Sequence, residues 1–217
     1  MVELVPAGER AVERAAAVLV TGAVIAIPTD TLYGLAVDPC RPGATDAIFE
    51  VKQRPVDVAL PVLVGDPGDA AALGHVDAPV VRALMDAFWP GPLTIVVRAR
   101  AKDFALGIGA TGATVGLRCP AHEFVRALCR RVGPLAVSSA NLHGQPTPPT
   151  AREIAAVFGS AVPLVVDGGE CSGAASTVVD CSEVGPDAEV LREGVIPRAD
   201  VERVTRAARA AAAFRRQ

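Results

Sequence analysis

Short apolar runs alternate along this chain with segments whose apolar residues recur at helical spacing, and that alternation confines it to an α/β architecture. The spacing of Val12, Ala15, Ala16 and Leu19 predicts a helix over 9–21, with Gly22 as its C-terminal cap. A buried strand over 23–27 follows and ends at Pro28. Further helices are expected over 45–53, 78–88, 123–131, 152–158 and 199–215, that over 152–158 with Thr150 as N-cap. Strands are expected over 60–64, 93–97, 114–117, 135–138, 164–166, 176–179 and 190–191. The last three follow one another through short connections, which favours a twisted, mixed and largely open sheet flanked by helices over a purely parallel one. No linker or repeat divides the 217 residues, so one domain over 1–217 is expected, with a core of about 10–200.

Several function classes lose support at once. No apolar stretch is long enough to span a bilayer, and the N-terminus places Glu3, Glu9, Arg10 and Glu13 where a signal peptide would carry a basic then apolar run. A cytoplasmic protein without membrane attachment is expected. The five cysteines are scattered and form no C-x-x-C pair, so buried or idle thiols are the reading, without a disulfide framework or zinc site. A net charge of −3 supplies no global attraction to nucleic acid. Of the 21 basic residues only Lys52 and Lys102 are lysines, which leaves two candidates for any lysine chemistry.

Two patterns imitate known sites in the wrong context. Gly107, Gly109 and Gly112 fit a dinucleotide fingerprint, yet they follow a charged loop and lead into a strand, whereas the fingerprint must open a helix. Gly169, Cys171 and Gly173 copy a nucleophile elbow that would also need a following helix. His75, His122 and His143 lie in expected loops without a metal partner at helical spacing, and exposed loop residues are the reading for all three.

Three clusters carry the chemistry, two directly behind strands and one at a helix end. Pro28-Thr29-Asp30-Thr31-Leu32-Tyr33-Gly34 packs hydroxyls, a carboxylate and a phenol directly behind a buried strand, where α/β folds place ligands. In Lys52-Gln53-Arg54-Pro55 the proline favours an extended Arg54, which would let Lys52 and Arg54 converge on a triphosphate. In Ser138-Ser139-Ala140-Asn141-Leu142-His143-Gly144 a hydroxyl and an amide stand two residues apart. Arg118 and Arg192 sit at further strand ends, and Ser176 begins another. Taken singly, the first and third clusters also read as capped turns, the second reads more readily as a solvated helix end, and an isolated Arg118 or Arg192 as a surface ion pair.

In order, PTDTLYGLA (28–36), KQRP (52–55), WPGPLT (89–94), LRCP (117–120), SSANLHG (138–144), DGG (167–169), STVVD (176–180) and LREG (191–194) resemble the YrdC-like family of threonylcarbamoyl-adenylate synthases. The resemblance runs over about residues 10 to 200. It implies a nucleotidyltransferase that joins ATP, L-threonine and bicarbonate into threonylcarbamoyl-AMP, with release of pyrophosphate, for a tRNA modification beside the anticodon. By that resemblance Lys52, Arg54, Ser139 and Asn141 form the catalytic centre. Lys52, Arg54, Thr114, Asn141 and Arg192 hold ATP with its Mg2+, and Thr31, Arg118, Ser139 and Ser176 hold threonine, Arg118 taking its carboxylate. A tRNA or a tRNA-modifying complex is the further partner it implies. Departures occur at Val58, where relatives often carry a polar residue, and at Leu63, where longer relatives carry histidine. The additional C-terminal domain of those relatives is also not expected here. The competing expectations are a non-catalytic tRNA- or RNA-binding module of the same fold and a carbamoyl-adenylate domain of the hydrogenase-maturation kind.

Overall fold

The computed structural model describes residues 2–53, 59–100, 108, 113–171, 173–183 and 188–214. Ten strands form one mixed sheet: β1 (Glu3–Pro6), β2 (Ile25–Ile27), β3 (Gly34–Val37), β4 (Val62–Leu63), β5 (Leu93–Arg98), β6 (Thr114–Arg118), β7 (Leu135–Ser139), β8 (Leu164–Asp167), β9 (Thr177–Asp180) and β10 (Glu189–Arg192). Their spatial order is β1-β8-β2-β3-β7-β4-β6-β5-β9-β10. Parallel pairs join β1 to β8, β8 to β2, β4 to β6 and β5 to β9, and the other neighbours run antiparallel. The helices are α1 (Glu9–Leu19), α2 (Ala44–Lys52), α3 (Ala70–Leu73), α4 (Pro79–Phe88), α5 (Glu123–Val132), α6 (Ala151–Phe158) and α7 (Arg198–Phe214). Thr150 caps α6 as expected, exchanging hydrogen bonds with Glu153 in a capping box. Gly22, just past α1, takes φ 82°.

Two strands escape the sequence reading. β3 begins with a glycine and carries an alanine, both poor strand formers, yet all four of its residues are buried at the centre of the sheet. β1 is an edge strand with alternating exposure that ends at Pro6.

Two apolar layers hold the sheet. On one face Ala26, Leu35, Val62, Ile95 and Leu117 pack in a core that also takes in side chains of α2, α4, α6 and α7. On the opposite face Ile25, Ile27, Leu63, Leu135 and Val137 pack against Val12, Ala15 and Leu19 of α1 and Phe124, Val125 and Leu128 of α5. Register carries this second face onward, because Leu63 pairs with Arg118, Val96 with Gly116 and Thr94 with Val178. Side chains at paired positions share a face. That face, apolar under α1 and α5, therefore continues across β6, β5 and β9 as Arg118, Gly116, Thr114, Thr94, Val96 and Val178. The packed helices stop short of it there, and a cavity results.

The connection between β8 and β9 completes the enclosure. Six strands separate the two in the sheet, although they follow one another along the chain, whereas β9 and β10 lie side by side. On a flat sheet seven inter-strand steps amount to roughly 34 Å, and the ten steps from Asp167 to Thr177 reach about 35 Å only when fully extended. The connection nevertheless detours to touch the β2–β3 loop. Tyr33 Oη donates to the Gly169 carbonyl at 2.7 Å and accepts from Gly168 N at 3.2 Å, while Cys171 Sγ donates to Thr29 O. Only a strongly coiled sheet permits both, and coiling makes the uncovered face concave.

Candidate active site

The concave face holds a cavity of about 370 Å3. Its floor is built by strand alternation. Leu93, Ile95 and Val97 of β5 and Val115 and Leu117 of β6 point into the core, so Thr94, Val96, Thr114, Gly116 and Arg118 point the other way into the cavity. Gly116 keeps the floor low, since a Cβ there would reach ordinary contact with Thr94 Cγ2 at 3.4 Å. The walls come from the loop after β2, from the end of β7 at Ser138 and Ser139, from Ser176 before β9, and from Arg192 at the end of β10. Thr31, Thr114, Arg118, Ser139, Ser176 and Arg192, spread over 162 residues of sequence, all line this one space.

Arg118 is the most constrained of them. It is 6% exposed and makes three bonds: Nε to Gly91 O at 3.1 Å, Nη1 to Thr31 Oγ1 at 3.1 Å, and Nη2 to Asp30 Oδ1 at 2.6 Å. Five guanidinium N–H groups less these three leave two for a ligand. Hydroxyl protons can be placed by count. Thr29 Oγ1 donates to Leu32 O, so within the Thr29–Thr31 contact of 3.0 Å it is Thr31 that donates, leaving its oxygen to accept from Arg118. Burial pulls the Arg118 pKa down, Asp30 opposes that shift, and Arg192 adds to it. The two guanidinium groups therefore share one electrostatic environment.

On the far wall Arg192 donates from Nη2 to Ser176 O at 2.8 Å and to Ser176 Oγ at 3.2 Å, and Ser176 Oγ lies 3.0 Å from Thr94 Oγ1. Arg192 stands at the exposed mouth, where partial desolvation lowers its pKa.

Lys52 departs from its expected geometry. It is the last residue of α2, Gln53 follows in the left-handed region at φ 53°, and the extended segment expected to align Lys52 with Arg54 does not begin there. Arg54 and Val58 lie outside the described residues. Nor is Lys52 a solvated helix end, because it is 2% exposed. Its ammonium donates to the carbonyls of Ser139 and Asn141 and to Asn141 Oδ1, which also accepts from Ser139 Oγ. The lysine thus anchors the Ser139–Asn141 turn from within.

The remaining expectations divide. Gly107, Gly109 and Gly112 lie outside the described residues. Cys171 has no following helix, is buried, and has its pKa raised by that burial, so it lacks the thiolate character of a nucleophile. His75 and His143 are exposed, as expected. His122 is not: it is the N-cap of α5, half-buried, edge-on to Phe124, with Nδ1 buried and without a partner. Leu63 lines the cavity and gives that part of the wall an apolar surface. Thr94 received no role from sequence, and Asp30 and Tyr33 entered only as the carboxylate and phenol of the first cluster. Thr94 was detectable as the hydroxyl in an otherwise apolar alternating strand.

The Sua5/YciO/YrdC family profile, described as telomere recombination, matches residues 17–194. The chain belongs to the Sua5/YciO/YrdC family. It is similar to the Bacillus subtilis protein named threonylcarbamoyl-AMP synthase, 35% identical over 195 residues, covering 89% of this chain and 56% of that protein. It is 36% identical over 188 residues to a Mycobacterium tuberculosis protein named putative threonylcarbamoyl-AMP synthase, covering 86% and 85% of the two chains. Among solved structures, Pyrococcus abyssi Sua5 complexed with L-threonine matches with a TM-score of 0.84 at 32% identity, covering 94% of this chain and 60% of that one. The chain therefore spans little more than half the length of two of these three family members. Named members of the family are enzymes, and the α/β fold with a mixed open sheet is common to this chain and the Sua5 structure.

Proposed function

We propose that this chain is a threonylcarbamoyl-AMP synthase of the nucleotidyltransferase class. Bicarbonate and L-threonine condense to N-carboxy-threonine with loss of water; a carbamate oxygen attacks the α-phosphorus of ATP, the bond to the β-phosphate oxygen breaks, and pyrophosphate leaves. The observation that carries this reading is one concave cavity that gathers two arginines and a bank of hydroxyls, in a chain whose relatives bear that name. Phosphoryl chemistry of this kind needs alignment and charge neutralisation more than covalent help, because the carbamate brings its own nucleophilic oxygen.

In this reading Arg192, Thr114 and Asn141 hold ATP with Arg54, while Thr31, Arg118, Ser139 and Ser176 hold threonine. Arg118 presents its two remaining N–H groups to the carboxylate, a fork-to-fork geometry suited to arginine. Lys52 supports the Ser139–Asn141 turn at the junction of the two ligands. Among the described residues no carboxylate lines the cavity, and no three His, Cys, Asp or Glu side chains gather to hold a metal. These residues do not make a magnesium cage, and Mg2+ would arrive as part of the nucleotide substrate, held by its phosphates. The same reading gives the cytoplasm as the compartment and a tRNA-modifying complex as the consumer of the adenylate.

The test is incubation of purified protein with ATP, bicarbonate and L-threonine. Pyrophosphate release that depends on threonine is expected. Absence of that dependence rejects the synthase, and RNA binding without turnover would favour a binding module in its place.

A further inference from the structure

We infer that Asp30 is a positioning residue that reserves Arg118 for the amino-acid substrate and withholds it from the nucleotide phosphates. This rests on the function proposed above and adds to it a division of labour between Arg118 and Arg192.

Arg118 and Arg192 act on each other electrostatically, and both border the space that would receive an amino acid and a highly charged nucleotide. An unrestrained arginine in that position would swing toward the larger negative charge, because Coulomb attraction grows with charge and is weakly screened in a partly closed cavity. Arg192 is exposed and, among the described residues, is held through Ser176 alone, so it has that freedom. Arg118 does not. Its guanidinium is held at all three nitrogens by Gly91 O, Thr31 Oγ1 and Asp30 Oδ1, and of these only Asp30 carries a charge.

Asp30 does not line the cavity. Its side chain is 12% exposed, lies against Arg118 at 2.6 Å, and its Oδ2 is buried with no partner. A buried carboxylate oxygen left unmatched is costly, and apolar replacement of a buried ion pair is often neutral or stabilising. Stability therefore gives little reason for a carboxylate here, whereas orientation of Arg118 does. The ion pair also makes the local charge zero before substrate arrives. A monoanionic carboxylate can use the two remaining N–H groups by geometry, while a polyphosphate gains little from a cation already neutralised.

Two variants and two ligands test this. L-Threonine and ATP dissociation constants are measured by calorimetry, with KM values for both from pyrophosphate release and melting temperatures as the folding control. Asp30→Ala is expected to weaken threonine at least tenfold while ATP binding stays the same or tightens, and excess ATP should now compete with threonine. Asp30→Asn keeps an acceptor near Nη2 but loses the charge, so threonine should weaken by an intermediate factor, again without loss of ATP; this variant carries the test if the alanine protein fails to fold. Equal weakening of both ligands would mean a structural role and overturn the inference. Unchanged threonine binding in both variants would overturn it as well. Wild-type protein that binds no threonine rejects the proposed function, and this inference with it, whereas wild-type binding with unaffected variants rejects the inference alone.

Discussion

Lys52 Nζ donates to Asn141 Oδ1 at 3.0 Å and to the Asn141 carbonyl at 2.7 Å, tying the end of α2 to the turn after β7 across 89 residues of sequence. Removing the ammonium strips a buried donor from three acceptors, each worth about 1–3 kcal/mol when left unmatched. Lys52→Ala is expected to lower threonine-dependent pyrophosphate release at least tenfold. If the lysine acts through the turn, Lys52→Ala and Ser139→Ala must be non-additive in a double-mutant cycle, because they disturb one network. Full activity in purified Lys52→Ala would remove that lysine from the mechanism.

The thiols give an independent check on burial. Burial pushes the pKa of Cys119 up to about 11 and those of Cys129 and Cys181 to about 12, and it raises that of Cys171. Cys40 is exposed, but partial burial and the nearby Asp38 raise its pKa too. Alkylation of native protein by iodoacetamide at pH 8, read by mass spectrometry, should therefore label Cys40 first and more slowly than free cysteine, since less thiolate is present. Rapid labelling of Cys171 would contradict its burial against Thr29 in the β8–β9 connection.

How far the sequence shows this site depends on which physical scale set each part. β5 and β6 were legible because a short run rich in apolar and β-branched residues is a local signal, though it left the facing of Thr94 unassigned. β3 was not, because burial on both faces erases alternation and Gly34 and Ala36 argue against a strand. Gly34 is nonetheless required, as a Cβ there would come within 2.6 Å of Val137 Cγ1. Motif order implied a common cavity, yet it could not give the direction of Lys52, whose ammonium turns to carbonyls 87 and 89 residues away. The Asp30–Arg118 pair spans 88 residues, and the crossing from β8 to β9 depends on how the whole sheet coils. Both are products of tertiary structure with no local signature.

The mouth of the cavity depends on a close backbone approach at Gly194. A Cβ there would run into the carbonyl oxygen of Ala175 and the backbone of Ser176, neither of which can move aside as a flexible side chain could. Gly194 N also donates to Thr177 Oγ1 at 2.9 Å, fixing the turn that follows Arg192. Overpacking of this kind costs about 1–3 kcal/mol, so Gly194→Ala should lower the melting temperature by roughly 3–10 °C in a chain of this size. It should also shift the Arg192–Ser176 contact and weaken ATP. Arg192→Ala serves as the comparison: ATP should weaken with the melting temperature held. An unchanged melting temperature in Gly194→Ala would mean that the turn is not tightly packed.

His122 ties stability to pH from just behind the site. Desolvation lowers its pKa below the ordinary 6.5, while Asp30 and Glu123 act in the opposite sense without cancelling it. The folded form therefore resists protonation that the unfolded chain accepts freely. Above pH 6.5 the imidazole is neutral in both states and costs nothing; as pH falls through 6.5 toward the lowered folded value, the unfolded state binds the extra proton and stability is lost. His122→Gln cannot titrate, so its melting temperature should fall less between pH 7.5 and pH 5.5 than that of the wild type. Because the ring is only half-buried the difference will be modest, yet its sign is fixed by the direction of the shift. Parallel curves for the two proteins would mean that the imidazole is solvated in the folded state and that its unpartnered Nδ1 is open to water.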